Sequence, residues 1–360
     1  MHTIALPGSL VPEHWLTSPE IKSALNASPI IEWLKQQDCR PNDTPDPTIK
    51  TALITPCTPQ QSWLAAQIAV VEPINILGAL AELDLPSSSQ FAQTWRIEPV
   101  HFRLATDHIV LAQAGFSDLA LADARSLIQA LAPLAEHFKL SITVAPSGRW
   151  YLNWDASGLS TSTSHAARGR NIDIYLPRNS VSSVQSDEAN RVDNARLWRR
   201  IATEIEMTWF NHPVNEARQN AGQLPVNSLW LESACGGATR PVGKSHALSD
   251  DPEHADLFAS VGLTLVDSFD AAHASIIENN SLNFARIEAN AWDWLQAWQA
   301  LEQPLLAQLQ AAQASVHGLE LFCFGEVQQK SWQIKPKNMW RRFSNTGRSF
   351  GLDNLSEVAK

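Results

Sequence analysis

Little in this 360-residue chain points to nucleic acid, membrane or the cell exterior. The formal net charge is −10, and Lys and Arg do not cluster before the C-terminal end. Duplex binding needs clustered cations to neutralise phosphates, so a nucleic-acid partner is excluded as an expectation. The local exception is Lys330, Lys335, Lys337, Arg341, Arg342 and Arg348, which read as a solvated tail. Cysteine is scarce: Cys39, Cys57, Cys235 and Cys323 are far apart and form no C-x-x-C, so neither a zinc knuckle nor a disulfide framework is signalled. The opening residues MHTIALPGSLVPEHW lack a basic n-region and a long apolar h-region. No apolar stretch approaches spanning length. The expected compartment is the cytoplasm, with no membrane partner.

Hydrophobic residues at 44% and charged residues at 18% describe a globular chain, long enough for one large core or two ordinary ones. Two tyrosines stand against fourteen tryptophans, and Trp150, Trp154, Trp198, Trp230, Trp294 and Trp298 fall at core-like spacing. Residues 1–90 read as mostly helical after a first strand, TIALPGSL. Helices are expected after Ser18-Pro19-Glu20 and over Ile30–Gln37, and Arg40–Thr48 reads as a proline-rich loop. A short strand over Thr51–Ile54 leads to a helix near Gln60. That order places Thr55, Cys57 and Thr58 where a helix N-terminus favours a nucleophile, but no base or metal ligand stands nearby and structural capping is the expectation.

From Trp95 the pattern turns to strands. Val100–Leu104 and His108–Ala112 read as one hairpin, and Leu140–Ala145 and Arg149–Trp154 as another across Pro146-Ser147-Gly148. Between them Ser117-Asp118 caps an expected helix over Leu119–Phe138. The unit is β-β-α-β-β, one small sheet with a helix on its face. Glu188–Phe210 follows as an amphipathic helix ending at His212-Pro213. Further on, His246, Asp250, Asp251, Glu253, His254 and Asp256 make an acidic loop that reads as solvated. Strands are expected at Leu263–Val266 and Ala274–Ile277, a helix over Asn290–Leu301 turned or broken at Pro304, and a closing hairpin of Gly318–Phe324 with Ser331–Lys335.

The densest polar stretch is Asn211 to Gly237, NHPVNEARQNAGQLPVNSLWLESACGG. His212, Asn215, Arg218 and Asn227 fall among Pro213, Gly222 and Pro225, just before the apolar run Val226–Leu231. Polar groups at the mouth of a buried strand are hydrogen-bonded scaffolding or a site. Asn215 is placed to cap a short helix at Glu216, and Arg218 lies one turn further on the same side.

This stretch, H-P-V-N-x-x-R-x-x-x-G-x-x-P-V-N-S-x-W-L, resembles a segment of the archaeal-type cofactor-independent phosphoglycerate mutases of the alkaline phosphatase superfamily. It is more similar still to a bacterial family of phosphoglycerate-mutase-like or RpfE-type regulatory proteins. The mutase resemblance runs from about Trp95 to Gly237. The bacterial one extends to EPVHFR (Glu98–Arg103), RWYLNW (Arg149–Trp154) and MWRRF (Met339–Phe343).

The resemblance implies an α/β fold: a reduced main domain over 1–90 and 238–360, with an inserted β-β-α-β-β domain over 91–237. It also implies a two-metal site with a nucleophilic serine, since paired metals neutralise the transferring phosphoryl group. Here Pro7 and Gly8 stand where an Asp is wanted, and the C-terminal third has no D-H-S, H-x-x-x-H or D-x-x-x-D-H. No metal and no cofactor are therefore expected, and the catalytic residues are unknown. The implied function is a non-catalytic regulatory or small-anion-binding protein. The alternative is an active mutase or phosphatase with unrecognised ligands. A small phosphorylated or anionic ligand is the implied partner. Arg149, in the position of the mutase G-H-R arginine, joins Arg168, Arg170, Asp173, His212, Asn215, Arg218 and Asn227 as candidate ligand-binding residues.

Overall fold

The computed structural model describes residues 1–37, 39–41, 56–70, 72–85, 94–155, 158–180, 193–235, 243–270, 272–283, 290–326, 328–335 and 350–357. The chain forms two compact units, one of Met1–Thr51 with Thr239–Lys360 and the other of Ala52–Ala238. The fold is mixed α/β around central sheets. No described helix is long and apolar enough to cross a membrane.

The chain opens in the first unit with strand β1 (His2–Pro7), buried at every position. It turns at Gly8 (φ +77°), where a Cβ would stand 2.6 Å from the Asn283 backbone, so only glycine fits. Strand β2 (Val11–Pro12) and helices α1 (Glu13–Thr17), α2 (Pro19–Asn26) and α3 (Pro29–Lys35) follow. Pro19 and Pro29 open the latter two, where a missing N–H costs nothing. Ser18 donates to Glu20 (2.8 Å) rather than capping the backbone. Strand β3 (Cys39–Pro41) ends this pass. The expected strand at Thr51–Ile54, and most of the loop before it, lie outside the described residues.

The second unit begins with helix α4 (Pro59–Gln67), where Thr58 and Gln61 cap each other's backbone N–H groups (3.2 and 3.0 Å). A 3-10 turn (Pro73–Leu80) and helix α5 (Ala81–Asp84) follow. Then come strands β4 (Thr94–Leu104) and β5 (Ile109–Ala114), helices α6 (Leu121–Ala130) and α7 (Ala132–Phe138), and strands β6 (Ser141–Val144) and β7 (Trp150–Asn153). The single helix expected over Leu119–Phe138 is two, because Pro133 cannot donate and the chain restarts around it. Asp118 does not cap it; the N-cap is Ala120. Strands β8 (Leu159–Ser160) and β9 (Arg178–Asn179) pair around helix α8 (Ser164–Ala167). Helices α9 (Asn194–Phe210) and α10 (Pro213–Asn220) lead to strand β10 (Ser228–Ala234).

The second unit's sheet runs β10-β4-β7-β6, antiparallel throughout, with β5 on the outer half of β4. Trp95, Ile97, Trp150, Leu152 and Trp154 pack on one face against Leu127, Trp198, Ile201, Ile205 and Trp209. The other face is covered too. Tyr151 is buried with Ala81 and Ala145, and Val100, Leu111 and Trp230 pack with Ala166, Ile172 and Tyr175. The sheet with a helix on one face becomes a sheet buried on both.

Back in the first unit come β11 (His246–Ser249), α11 (Pro252–Ser260), β12 (Thr264–Leu265), β13 (Ser275–Glu278), α12 (Ala291–Ala314), β14 (Leu319–Phe324), β15 (Gln329–Ile334) and β16 (Ser356–Glu357). The sheet order is β12-β11-β13-β1-β14-β15-β3. From β12 to β14 every pair is parallel, while β15 and β3 run antiparallel. The acidic segment is not a solvated loop: Asp251 caps helix α11, and His254 is buried. Helix α12 also runs straight through Pro304. Pro304 lies on its exposed side, so water can serve the freed carbonyl while Leu301, Leu305 and Leu309 hold the core face.

Candidate functional site

In the second unit, the Asn211–Cys235 stretch is a set of backbone clamps. The His212 ring accepts the Val214 N–H (3.2 Å) and caps α10. Asn215, 2% exposed, donates to Trp209 O (2.9 Å) and Val226 O (2.7 Å) and accepts the Val226 N–H (2.9 Å). It thereby fastens the end of α9 to the entry of β10. Arg218 donates to Leu224 O (2.8 Å) and to the Asp118 carboxylate (2.9 Å), with its guanidinium 5.0 Å from the Phe116 ring centroid. Asn227 mimics a peptide group: Phe102 N–H donates to its oxygen and its amide donates to Phe102 O, both at 2.8 Å. That extends the β10–β4 ladder by one rung. Among the described hydrogen bonds, the four side chains meet through the backbone and not through one another.

The other candidates are held locally. Arg149 grips the Asp84 carboxylate with two nitrogens (2.6 and 3.0 Å), and Tyr151 OH donates to the same group (2.5 Å). Burial alone would raise the Asp84 pKa, but the hydrogen bonds from Arg149, Tyr151 and Ser147 hold it below its ordinary value. Arg170 donates to Tyr175 OH (2.8 Å), Arg168 is exposed at the C-terminal end of α8, and exposed Asp173 donates its N–H to Asn171. Cys57 is buried 3.2 Å from the Ser62 hydroxyl, and Thr58 is engaged as the cap of α4. Thr55 lies outside the described residues.

Sequence reasoning missed a buried charge cluster in the same unit. The β4–β10 register shifts between Leu231 and Ser233, leaving Glu232 as the extra residue of a bulge. Glu232 is fully buried, and both its oxygens receive the Ser164 N–H (3.1 and 3.0 Å). Arg96, 3% exposed, pairs with Glu98 at 2.9 Å. Burial pushes Glu232 up to about 8, the Glu98 charge adds to the rise, and Ser164 and Arg96 oppose it. The only signal in the sequence was one acid inside an apolar run, SLWLESA.

The first unit presents the place where α/β proteins gather chemistry, the carboxyl ends of parallel strands. At the ends of β11 and β13, Glu278 (2% exposed) accepts Ser249 Oγ–H (2.8 Å) and meets His254 Nδ1 (2.9 Å) on the same oxygen. Burial alone would lower the His254 pKa, but Glu278, with Asp251 and Glu253 behind it, raises it to about 9. Asp250 accepts the backbone and side-chain N–H groups of Asn280 (2.8 to 3.0 Å). Asp251 accepts from Glu253 N and His254 N.

At the ends of β1 and β14 the groups are of another kind. The Ser9 hydroxyl donates to Leu6 O (2.6 Å) and bonds to Cys323, whose thiol is pushed up to about 12 by burial. Lys330, opposite Cys323 in the β14–β15 register, donates to the carbonyls of Ser356 (2.7 Å), Asn354 (3.3 Å) and Asp353 (3.4 Å). Burial lowers its pKa, while Cys323, Glu357 and Asp353 pull it back up. Of the expected basic tail, Lys330 is thus a half-buried structural cation, and Lys337, Arg341, Arg342 and Arg348 lie outside the described residues.

The two metals that the mutase resemblance implies would need carboxylates and imidazoles with free lone pairs converging on one point. Among the described residues no group of three His, Cys, Asp or Glu could hold an ion. The acids nearest such a place are turned toward Asn280, Ser249, His254 and the α11 backbone, so this donor set does not fit the group.

No family model and no curated protein matches the chain. Among solved structures, it is similar to the cofactor-independent phosphoglycerate mutase from Thermoplasma acidophilum DSM 1728. That likeness is 15% identical over 94% of this chain and 90% of that one, with a TM-score of 0.32. It is also similar to the PH0037 protein from Pyrococcus horikoshii, 9% identical over 98% of this chain and 91% of that one, with a TM-score of 0.48. At these scores neither likeness carries residue roles across.

Proposed function

We propose that this chain is a phosphoglycerate-mutase-like regulatory protein that binds a small phosphorylated or anionic ligand without turning it over. In this reading the first unit is a reduced main domain and the second an inserted one. The observation that carries the reading is the engagement of Asp250, Asp251 and Glu278 at the parallel-strand ends. Metal-assisted phosphoryl transfer needs carboxylates aimed at cations, whereas these are aimed at protein donors. The ligand class comes from the resemblance of the HPVN stretch, and Lys330 places a cation at the β14 end of the same sheet.

A second reading, an active cofactor-independent phosphoglycerate mutase or phosphatase, has one observation in its favour. The Ser249 hydroxyl, Glu278 and His254 are in contact at the ends of adjacent parallel strands. Here Ser249 donates to the Glu278 carboxylate and not to the imidazole, so His254 is not placed as its general base. Calorimetric titration with 3-phosphoglycerate, run beside an assay on p-nitrophenyl phosphate with and without added Mn²⁺ or Zn²⁺, separates the two. Saturable binding with no product is expected. Turnover abolished by Ser249→Ala would establish the second reading.

A further inference from the structure

The last described segment, residues 350–357, runs past β15 and the carboxyl end of β14 to pair with β2. Phe350 is buried edge-on against Trp332, with ring centroids 5.2 Å apart, and Leu355 is 1% exposed. A 3-10 turn at Leu352–Leu355 is closed by Gly351 N–H donating to Asn354 Oδ1 (2.7 Å). Strand β16 then runs parallel to β2, pairing Ser356 with Val11 and Glu357 with Pro12. That is one short edge contact and two apolar anchors.

The end of the segment carries a charge inward. Glu357 is 7% exposed, and its carboxyl atoms stand 2.5 to 2.6 Å from the place a Cβ would occupy on Gly325. Gly325 follows β14 directly and closes the hairpin by donating its N–H to Gln328 O (2.9 Å). A carboxylate can approach the backbone so closely only because residue 325 has no side chain. Lys330 stands in the same place, donating to three carbonyls of the segment and attracted by Glu357. Carbonyls are weaker partners for a half-buried ammonium than a carboxylate or phosphate.

We propose that Glu357 is an internal ligand: its carboxylate occupies a seat for a small oxyanion beside Gly325 and Lys330, and residues 350–357 form a strap that an incoming phosphate or carboxylate displaces. This rests on the small-anion reading above and gives it a place. Outside ligand and Glu357 compete for one seat, so the dissociation constant seen from outside is the intrinsic one divided by the fraction of open strap. A strap closed about nine-tenths of the time weakens an outside anion about tenfold. Binding releases β16 from β2, so occupancy is read out as exposure of residues 350–357.

The test titrates inorganic phosphate and 3-phosphoglycerate into the full chain and into Glu357→Gln, Glu357→Ala and Gly325→Ala, with amide exchange followed over residues 350–357. Glu357→Gln keeps the packing and removes the charge. Gly325→Ala keeps the charge and fills its seat. Both Glu357 variants are expected to bind phosphate about tenfold or more tightly than the unaltered chain, whereas Gly325→Ala, whose Cβ fills the seat for either occupant, is expected to bind none. Adding Lys330→Gln to Glu357→Gln is expected to abolish the gain. In the unaltered chain, phosphate is expected to speed exchange over 350–357. An unaltered chain that binds while the folded Glu357 variants bind no more tightly overturns the strap and leaves the anion reading standing. Absence of binding by every variant overturns both. Tighter binding that Lys330→Gln does not reduce overturns the seat.

Discussion

Replacing Glu232 by Gln should stabilise the second unit, and by more as the pH rises. The Glu232 carboxyl is fully buried at the β10 bulge with Glu98 near it, and its pKa is about 8 against an ordinary 4.5. Between those two values the unfolded chain releases the proton and the fold retains it. The fold therefore loses stability as pH rises from 4.5 toward 8 and is flat outside that window. At about 1.4 kcal/mol for each pH unit, the penalty at pH 7 is about 3 kcal/mol. Gln keeps the shape and an acceptor for the Ser164 N–H while carrying no proton to lose. Glu232→Gln should thus match the parent near pH 4.5 and exceed it by about 4 kcal/mol at pH 7.5. For a unit of this size that is a rise of about 8–16 °C in its melting transition. Denaturant unfolding at several pH values, followed by tryptophan fluorescence, measures it. A variant equally destabilised from pH 5 to 8 would refute the claim that Glu232 resists ionisation.

Three other outcomes follow from the same structure. Asn215→Ala strands Trp209 O, Val226 O and Val226 N in a buried site and should cost about 2–4 kcal/mol in denaturant unfolding, leaving calorimetric anion binding intact. Arg218→Ala should cost about 1–3 kcal/mol, again with binding intact; lost binding at unchanged melting temperature would make it a site instead. His254 has a raised pKa, so its pairing with Glu278 stabilises the first unit fully below pH 6.5 and fades as pH rises through about 9. The first unit's melting temperature should accordingly drop between pH 7 and 10, and His254→Gln should flatten that drop.

Local pattern carried the elements whose reason to form is local. Apolar spacing announced α9 through Ala195, Trp198, Ile201 and Ile205, and alternating runs announced the β4–β5 and β6–β7 hairpins. Where the reason is distant, pattern misled. Asp118 looks like a cap and instead meets Arg218, one hundred positions along the chain. Pro304 looks like a break, yet it falls on the side of α12 that faces water. The acids around Pro252 look solvated, but strand ends brought from elsewhere supply Glu278 and Asn280 as partners. Glu232 and Lys330 were invisible for the same reason. A charge in an apolar strand or a basic tail discloses nothing until the opposite strand and the returning chain end are in place.

The most direct measurement of the central claim is ³¹P NMR of 3-phosphoglycerate mixed with the purified chain, recorded over hours with and without added divalent metal. Binding broadens or shifts the substrate resonance; chemistry creates the 2-phosphoglycerate or inorganic phosphate resonance. A concentration-dependent change in the 3-phosphoglycerate signal is expected, with no new peak under either condition. A growing product peak, or a signal unmoved at any protein concentration, would contradict it.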